Sequence, residues 1–333
     1  MENSKPFKTL NQQLKILRNR GLADVDSNSK RSLEQIGYYS LINGYKRMFL
    51  ARDSSGKIIH PEQFKQGASF KEIQALYDFD FELRSILYEA LLKYETMLGA
   101  AIAYRFSEVH QEEHAYLAID NFSRDPSNVP SVVGTISSLS SAIKKRSSQS
   151  KDNAIKHYVS NHGHVPLWVL VNFLTFGELN HFYSNCTHDI QLQIATDFKN
   201  SKEKSYGQIK QAAITPKAVM KINQMVNLFR NSVAHGEITY SKKITKNPDM
   251  GDVKAAANLP DLKINSQGGV FELILCLKAV LPYRTYQKLY RNVVNLLRDY
   301  KQSFNATDFK ALLQDMNFPD EYELILRPKP DRR

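Results

Sequence analysis

The residues of this chain that could do chemistry together lie in NLFRNSVAHGE, Asn227 to Glu237. Here an apolar-periodic stretch ends in an arginine, an asparagine and a histidine within six positions. Arginine keeps its charge and can grip a phosphate through two parallel N–H donors. Histidine, with an ordinary pKa of about 6.5, takes or gives a proton near neutrality. Arginine followed four to six residues later by histidine is a spacing used by metal-independent ribonucleases, and Arg230 to His235 fits it. The spacing alone says little. With 16 arginines and nine histidines in the chain, chance supplies roughly one such pair. A second match exists, Arg105 to His110 in RFSEVH, which runs on into HQEEHAY. Asn231 separates the two. It precedes His235 by four residues, where helix neighbours meet, so its amide could orient the imidazole.

Other polar clusters read more plainly. His157, His162 and His164 have no acidic or cysteine companion at ligand spacing, so a polar loop before the PLW segment is expected and no metal. Asp78, Asp80 and Glu82 stand beside Arg84 in YDFDFELR, which reads as a solvated helix face or an intrahelix pair. Glycine-rich phosphate loops are absent, and no cofactor is expected.

The elements that must hold Arg230 and His235 read as helices almost throughout. FKTLNQQLKILRNRGL places Leu10, Leu14 and Leu17 on one face and stops at Gly21. Ser69, with Glu72 three residues on, predicts a capping box. It opens a long helix whose stripe runs through Ile73, Leu76, Phe79 or Asp80, Leu83, Leu87, Leu91, Tyr94, Leu98 and Ile102. Thr215-Pro216 predicts a cap and an N1 proline for the helix that carries the motif, with Val219, Ile222, Val226, Phe229 and Val233 facing inward. Arg230 and His235 fall outside that stripe. At 3.6 residues per turn they lie about 140° apart, so a distorted helix end at Gly236 or a second chain must bring them together. Residues 241–269 read as a loop or hairpin insertion. VFELILCLKAVL and YRTYQKLYRNVVNLLRDYKQSF then close the helical body before a short Pro-rich tail. The fold class is all-α, organised as an N-terminal helical region (1–60), a helical domain (61–303) and a tail (304–333).

Composition bounds the function. Cys186 and Cys276 are lone thiols in a long chain, which points to a reducing cytoplasm. The N-terminus lacks the apolar core of a signal peptide, and no apolar run is long enough for a membrane span. Lys and Arg exceed Asp and Glu by 45 to 34, a net charge of +11, which favours polyanions such as nucleic acid.

Four blocks in order resemble the Abi family of bacterial abortive-infection proteins, of the AbiD/AbiF type, within the HEPN superfamily. They are LEQIGYYSLINGYKRMF, FKQGASFKEIQALYDFDFELRSIL, VPLWVLVNFLTFGELNHFY and FRNSVAHGE, spanning about residues 10 to 236. Where relatives carry bulky or basic residues after the histidine, this chain has Gly236-Glu237. The resemblance implies a HEPN-like helical bundle with an N-terminal helical extension. It also implies toxin-like RNA cleavage without a metal, with Arg230 and His235 as the site and Asn231 as its polar companion. One histidine cannot easily serve as base and acid in one step, so a homodimer with two Arg-His pairs facing one cleft is expected. Its products would be a 2′,3′-cyclic phosphate and a 5′-OH. The alternative is a non-catalytic RNA-binding or sensing module governed by a small RNA or protein partner.

Overall fold

The computed structural model describes residues 6–244, 249–305 and 309–328. Each early helix starts where the sequence supplies an acceptor for its first free amides. Thr9 and Asp26 cap α1 (Leu10–Asn19) and α2 (Ser27–Ile36), each in a reciprocal box. α3 (Phe70–Val109) is 40 residues long, roughly 60 Å at 1.5 Å per residue. Its cap is the expected one: the Ser69 hydroxyl accepts from the Glu72 amide at 3.3 Å, and Ser69 N donates to Glu72 Oε2 at 3.0 Å.

The stripe from Ile73 to Ile102 is buried, and this makes α3 the spine of the molecule. The chain continues through α4 (Val129–Ser147), α5 (Ala154–His162), α6 (Leu167–Leu170), α7 (Phe176–Asn185), α8 (His188–Ser205) and α9 (Pro216–Ala234). α10 (Gly251–Ala256), α11 (Val270–Val280), α12 (Tyr283–Tyr300), α13 (Phe309–Asp315) and α14 (Tyr322–Leu326) complete it. Helices α6, α7, α8, α9, α11 and α12 pack on α3, α4 packs on α7, and α5 packs on α4. Every residue of α11 except Lys278 is buried, as an all-round apolar helix requires. One contiguous apolar core runs from Leu14 to Leu326. Among the described residues the fold is all-α, with isolated bridges and no sheet.

Three stretches differ from the sequence reading or sharpen it. The insertion at 241–269 is closed at its base by Ile244 and Gly268, whose backbone bonds are 2.8 and 3.2 Å. Inside it α10 forms and buries Val253 and Ala256; residues 245–248 lie outside the described residues. The tail holds α13 and α14, which carry Leu312 and Leu326 into the core. Its residues 306–308 and 329–333 lie outside the described ones, as do residues 1–5 at the other end. α12 buries Tyr286, Leu289, Val293 and Leu297 and leaves Arg284 and Arg291 exposed, so it is a core helix with a basic outer face. Both cysteines are free and buried. Among the described residues, no helix is long and apolar enough to cross a membrane.

Candidate functional site

α9 places the motif. The Thr215 hydroxyl accepts from the Ala218 amide at 3.0 Å and Pro216 occupies the first turn. The apolar stripe from Val219 to Val233 then pins the helix against α3, α7 and α11. Its far end closes in a Schellman motif: Gly236 N donates to Val233 O at 3.2 Å and Glu237 N to Ser232 O at 3.0 Å. That closure needs a left-handed residue, and Gly236 supplies it at φ +68°.

His235 is the residue just before this turn. Its backbone is still near-helical (φ −89°, ψ 2°) and its ring is exposed. The helix end therefore does not swing His235 round to Arg230, and the two side chains share no hydrogen bond. Arg230 faces α3 instead, where its Nε donates to Glu95 Oε2 at 3.3 Å. Its two Nη groups have no hydrogen-bond partner among the described residues. Asn231 is exposed. It meets His235 through the backbone, His235 N to Asn231 O at 3.0 Å, while its amide makes no bond to the ring. Just beyond, the Ser232 hydroxyl and the Lys242 ammonium hold the Glu237 carboxyl below its usual range, and Lys242 Nζ lies 3.2 Å from it.

What fixes the chain after His235 is a buried carboxylate. Asp80 accepts from Tyr240 N at 2.7 Å, Thr239 N at 3.1 Å, the Tyr45 hydroxyl at 2.8 Å and Arg84 Nη1 at 2.5 Å. Arg84 also reaches Glu237 O at 3.5 Å. Burial pushes the Asp80 carboxyl above its ordinary value, and these four partners pull it back. The intrahelix pair with Arg84 is as the spacing predicts, and Glu82 stands on the solvated side, but Asp80 is buried in the core. Beside it, a side chain on Gly44 would come within 3.3 Å of Ile238, so the backbone of the GYKR block lies directly against the segment that follows the motif.

The second Arg-His pair is used up structurally. Arg105 grips Asp197 through Nε and Nη2 at 2.7 and 2.6 Å and Glu108 at 2.6 Å, while His110 packs on the Phe106 ring. His157, His162 and His164 lie with neighbouring rings and amides. No group of three or more metal-capable side chains is found among the described residues.

Next to Glu95 a groove of about 710 Å³ opens between α3, α6 and α7. Leu92, Tyr104 and Trp168 line it, and Trp168 is 59% exposed. Leu228, two residues before Arg230, is also exposed.

The blocks that converge here, Tyr45, Asp80 with Arg84, and Arg230 to Tyr240, come from three separate parts of the sequence. A scan against family models matches the Abi-like protein family over residues 31–241, a span that contains all of them. The chain belongs to this family. Searches of curated proteins and of solved structures returned no match. Membership of the Abi-like family points to a role in abortive-infection defence. The match begins at residue 31, so α1, which the sequence resemblance took in, lies before it. Glu95 and the Asp80 clasp are the two features that residue spacing did not disclose. Asp80 could have been found as a carboxylate set in an apolar stripe. Glu95 carries no local signal, because its partner is 135 positions away.

Proposed function

We propose that this Abi-like protein is a metal-independent endoribonuclease of the HEPN superfamily, acting in the cytoplasm in abortive-infection defence. Its site is formed by Arg230 and His235, with Asn231 beside them. The observation that carries this reading is the end of α9. A helix terminus closed by a Schellman turn there presents an arginine with unoccupied donors and an exposed histidine on the solvent side of the core. Arg230 holds the scissile phosphate, and its charge stabilises the extra negative charge of the transition state. One histidine removes the 2′-OH proton, and a second protonates the 5′-oxygen as it leaves, yielding a 2′,3′-cyclic phosphate and a 5′-OH.

Two histidines require two chains. In support, an uncovered apolar groove adjoins Glu95, the partner of Arg230, with Leu92 and Trp168 exposed in it. Such a patch is what a symmetric dimer contact uses. The net charge of +11 supplies sequence-independent grip on RNA.

A second reading has one observation in its favour. Within one chain Arg230 is held by Glu95 and does not meet His235, as fits a non-catalytic RNA-binding module governed by a small RNA or protein partner. Incubating the wild type, Arg230→Ala and His235→Ala with single-stranded RNA in excess EDTA separates them. The ribonuclease cleaves in EDTA and both variants lose at least about a hundredfold in rate. Cleavage abolished by EDTA, or retained by His235→Ala, rejects the assignment. A defined RNA bound by all three proteins and cut by none favours the module.

A further inference from the structure

A short turn early in the chain is fastened to the segment that follows His235. Tyr39–Asn43 form a single π-helical turn, closed by the bond from Gly44 N to Tyr39 O. Such turns are rare and recur at functional sites. Three contacts tie it to the residues after the motif. A side chain on Gly44 would meet Ile238 at 3.3 Å. The Tyr45 and Tyr240 rings lie nearly parallel with centroids 6.1 Å apart. The Tyr45 hydroxyl also shares Asp80 with the amides of Thr239 and Tyr240. Ile238 is three residues beyond His235, at most about 11 Å of chain. The π turn therefore stands at a fixed place close to the histidine.

The turn sorts its side chains sharply. Leu41 and Ile42 are buried, as is Tyr45 just beyond, and Tyr38 packs against the core. Tyr39 does the reverse, with 81% of it exposed. Among the described residues only Phe7, near the start of the chain, is a more exposed large apolar side chain. A lone exposed ring is ordinary on a protein surface. This one adds almost nothing to the core, yet its backbone is pinned from three sides. A ring carried on a fixed backbone has little left to lose when a partner arrives, which favours binding.

The surroundings carry a surplus of positive charge. Burial raises the Tyr240 phenol, and the charge of Arg47, exposed close by, acts against it. Asp315 feels three cations, Lys243, Arg47 and Arg52. Lys242 holds the exposed Glu237 carboxylate at 3.2 Å. Single-stranded nucleic acid is bound by this combination: cations follow the backbone, and bases stack on aromatic faces whatever their sequence. The inference rests on the reading of Arg230 and His235 as an RNA site, and it deepens that reading. We propose that Tyr39 is the stacking platform for a base of single-stranded RNA flanking the phosphate at Arg230, with the backbone between them passing Arg47 and Lys242.

Fluorescence anisotropy tests this with a labelled single-stranded RNA of about 12 nucleotides. The parent is the full chain with His235→Ala, which the assignment makes unable to cut the probe. Added to it, Tyr39→Ala weakens binding about tenfold, while Tyr39→Phe, which keeps the ring, binds like the parent. An abasic ribose moved along the probe weakens the parent at one position and makes no further difference to Tyr39→Ala there. Tyr39→Ala keeps the oligomeric mass of the parent. The proposal is overturned if the parent binds no RNA, if Tyr39→Ala binds like the parent, or if Tyr39→Phe loses as much as Tyr39→Ala. It is equally overturned if no abasic position matters, or if Tyr39→Ala changes the mass, since the ring would then be a protein contact. Cleavage by the wild type separates the two readings. A wild type that cuts RNA, with Tyr39→Ala binding and cutting equally well, loses the platform alone. A wild type that neither binds nor cuts RNA loses both.

Discussion

Arg230 meets Glu95 through Nε, the donor nearest its stem, which leaves the outer fork of the guanidinium for a phosphate. In the proposed ribonuclease, a carboxylate at that position would aim the arginine without occupying the donors that hold the phosphate. Glu95→Ala is therefore expected to lower the cleavage rate constant about tenfold with little change in KM, and Glu95→Gln, which keeps an acceptor oxygen, to restore most of it. Single-turnover kinetics on a short RNA check this. Equal losses in both variants, or a loss confined to KM, would mean that the pair does not position Arg230. Lys202 makes a different kind of statement, through proton linkage. Its pKa is about 8 in the folded chain, against 10.5 unfolded. Between these values the unfolded chain binds more protons, so stability rises with pH across that window. Lys278, Lys210, Arg327 and Tyr206 face it. Burial raises the Tyr206 phenol, which opposes the rise only above the ordinary tyrosine pKa of about 10. From pH 8 to 9.5 the Lys202 contribution is a gain on the order of 1 kcal/mol. Burial also raises the Cys186 and Cys276 thiols, which costs stability over the same range, so urea unfolding at several pH values is expected to show the Lys202 gain as the difference between the wild type and Lys202→Met.

At the scale of elements, the end of α9 depends on one backbone conformation. Gly236 at φ +68° closes the Schellman turn, and no neighbouring atom lies where its Cβ would stand. Gly236→Ala is thus a strain experiment without a clash, expected to cost about 1 kcal/mol in urea unfolding. A loss of cleavage well beyond that stability change would show that His235 is placed by the turn itself. Much at this scale was legible beforehand, because it is written in local chemistry. Ser69 with Glu72 and Thr215 with Pro216 cap their helices as spacing dictates, and the stripe of α3 holds its rhythm from Ile73 to Ile102. What was not legible lies where the physics is non-local. Asp80 takes amides from residues 159 and 160 positions away, so its role cannot be read from YDFDFELR. α10, α13 and α14 are seven residues or shorter, too brief for a periodic pattern to register. Their order comes from docking on the core. The offset between Arg230 and His235 was read correctly as a geometric problem, and the regular helix end leaves it unsolved within a single chain.

The proposed dimer answers this at the scale of the whole molecule, and it has an arithmetic consequence. A two-fold dimer makes each contact twice, with every residue seen once from each side. If a cleavage site takes Arg230 from one chain and His235 from the other, a dimer of Arg230→Ala with His235→Ala keeps one complete site and loses the other. Random exchange makes about half of all dimers mixed, so an equimolar blend should regain about a quarter of the wild-type sites while each variant alone stays inactive. The two-histidine mechanism proposed above needs both pairs in one cleft, so it predicts a blend near zero, since each mixed dimer has only one arginine and one histidine; recovery of a quarter would show that one histidine per site suffices. The apolar groove that carries Leu92 and Trp168 supplies the control. Trp168→Asp, exposed and outside the proposed chemistry, should leave the fold intact by circular dichroism, convert a dimeric mass to a monomeric one, and abolish wild-type cleavage. Full activity from a chain of monomeric mass at nanomolar protein would end the composite-site reading.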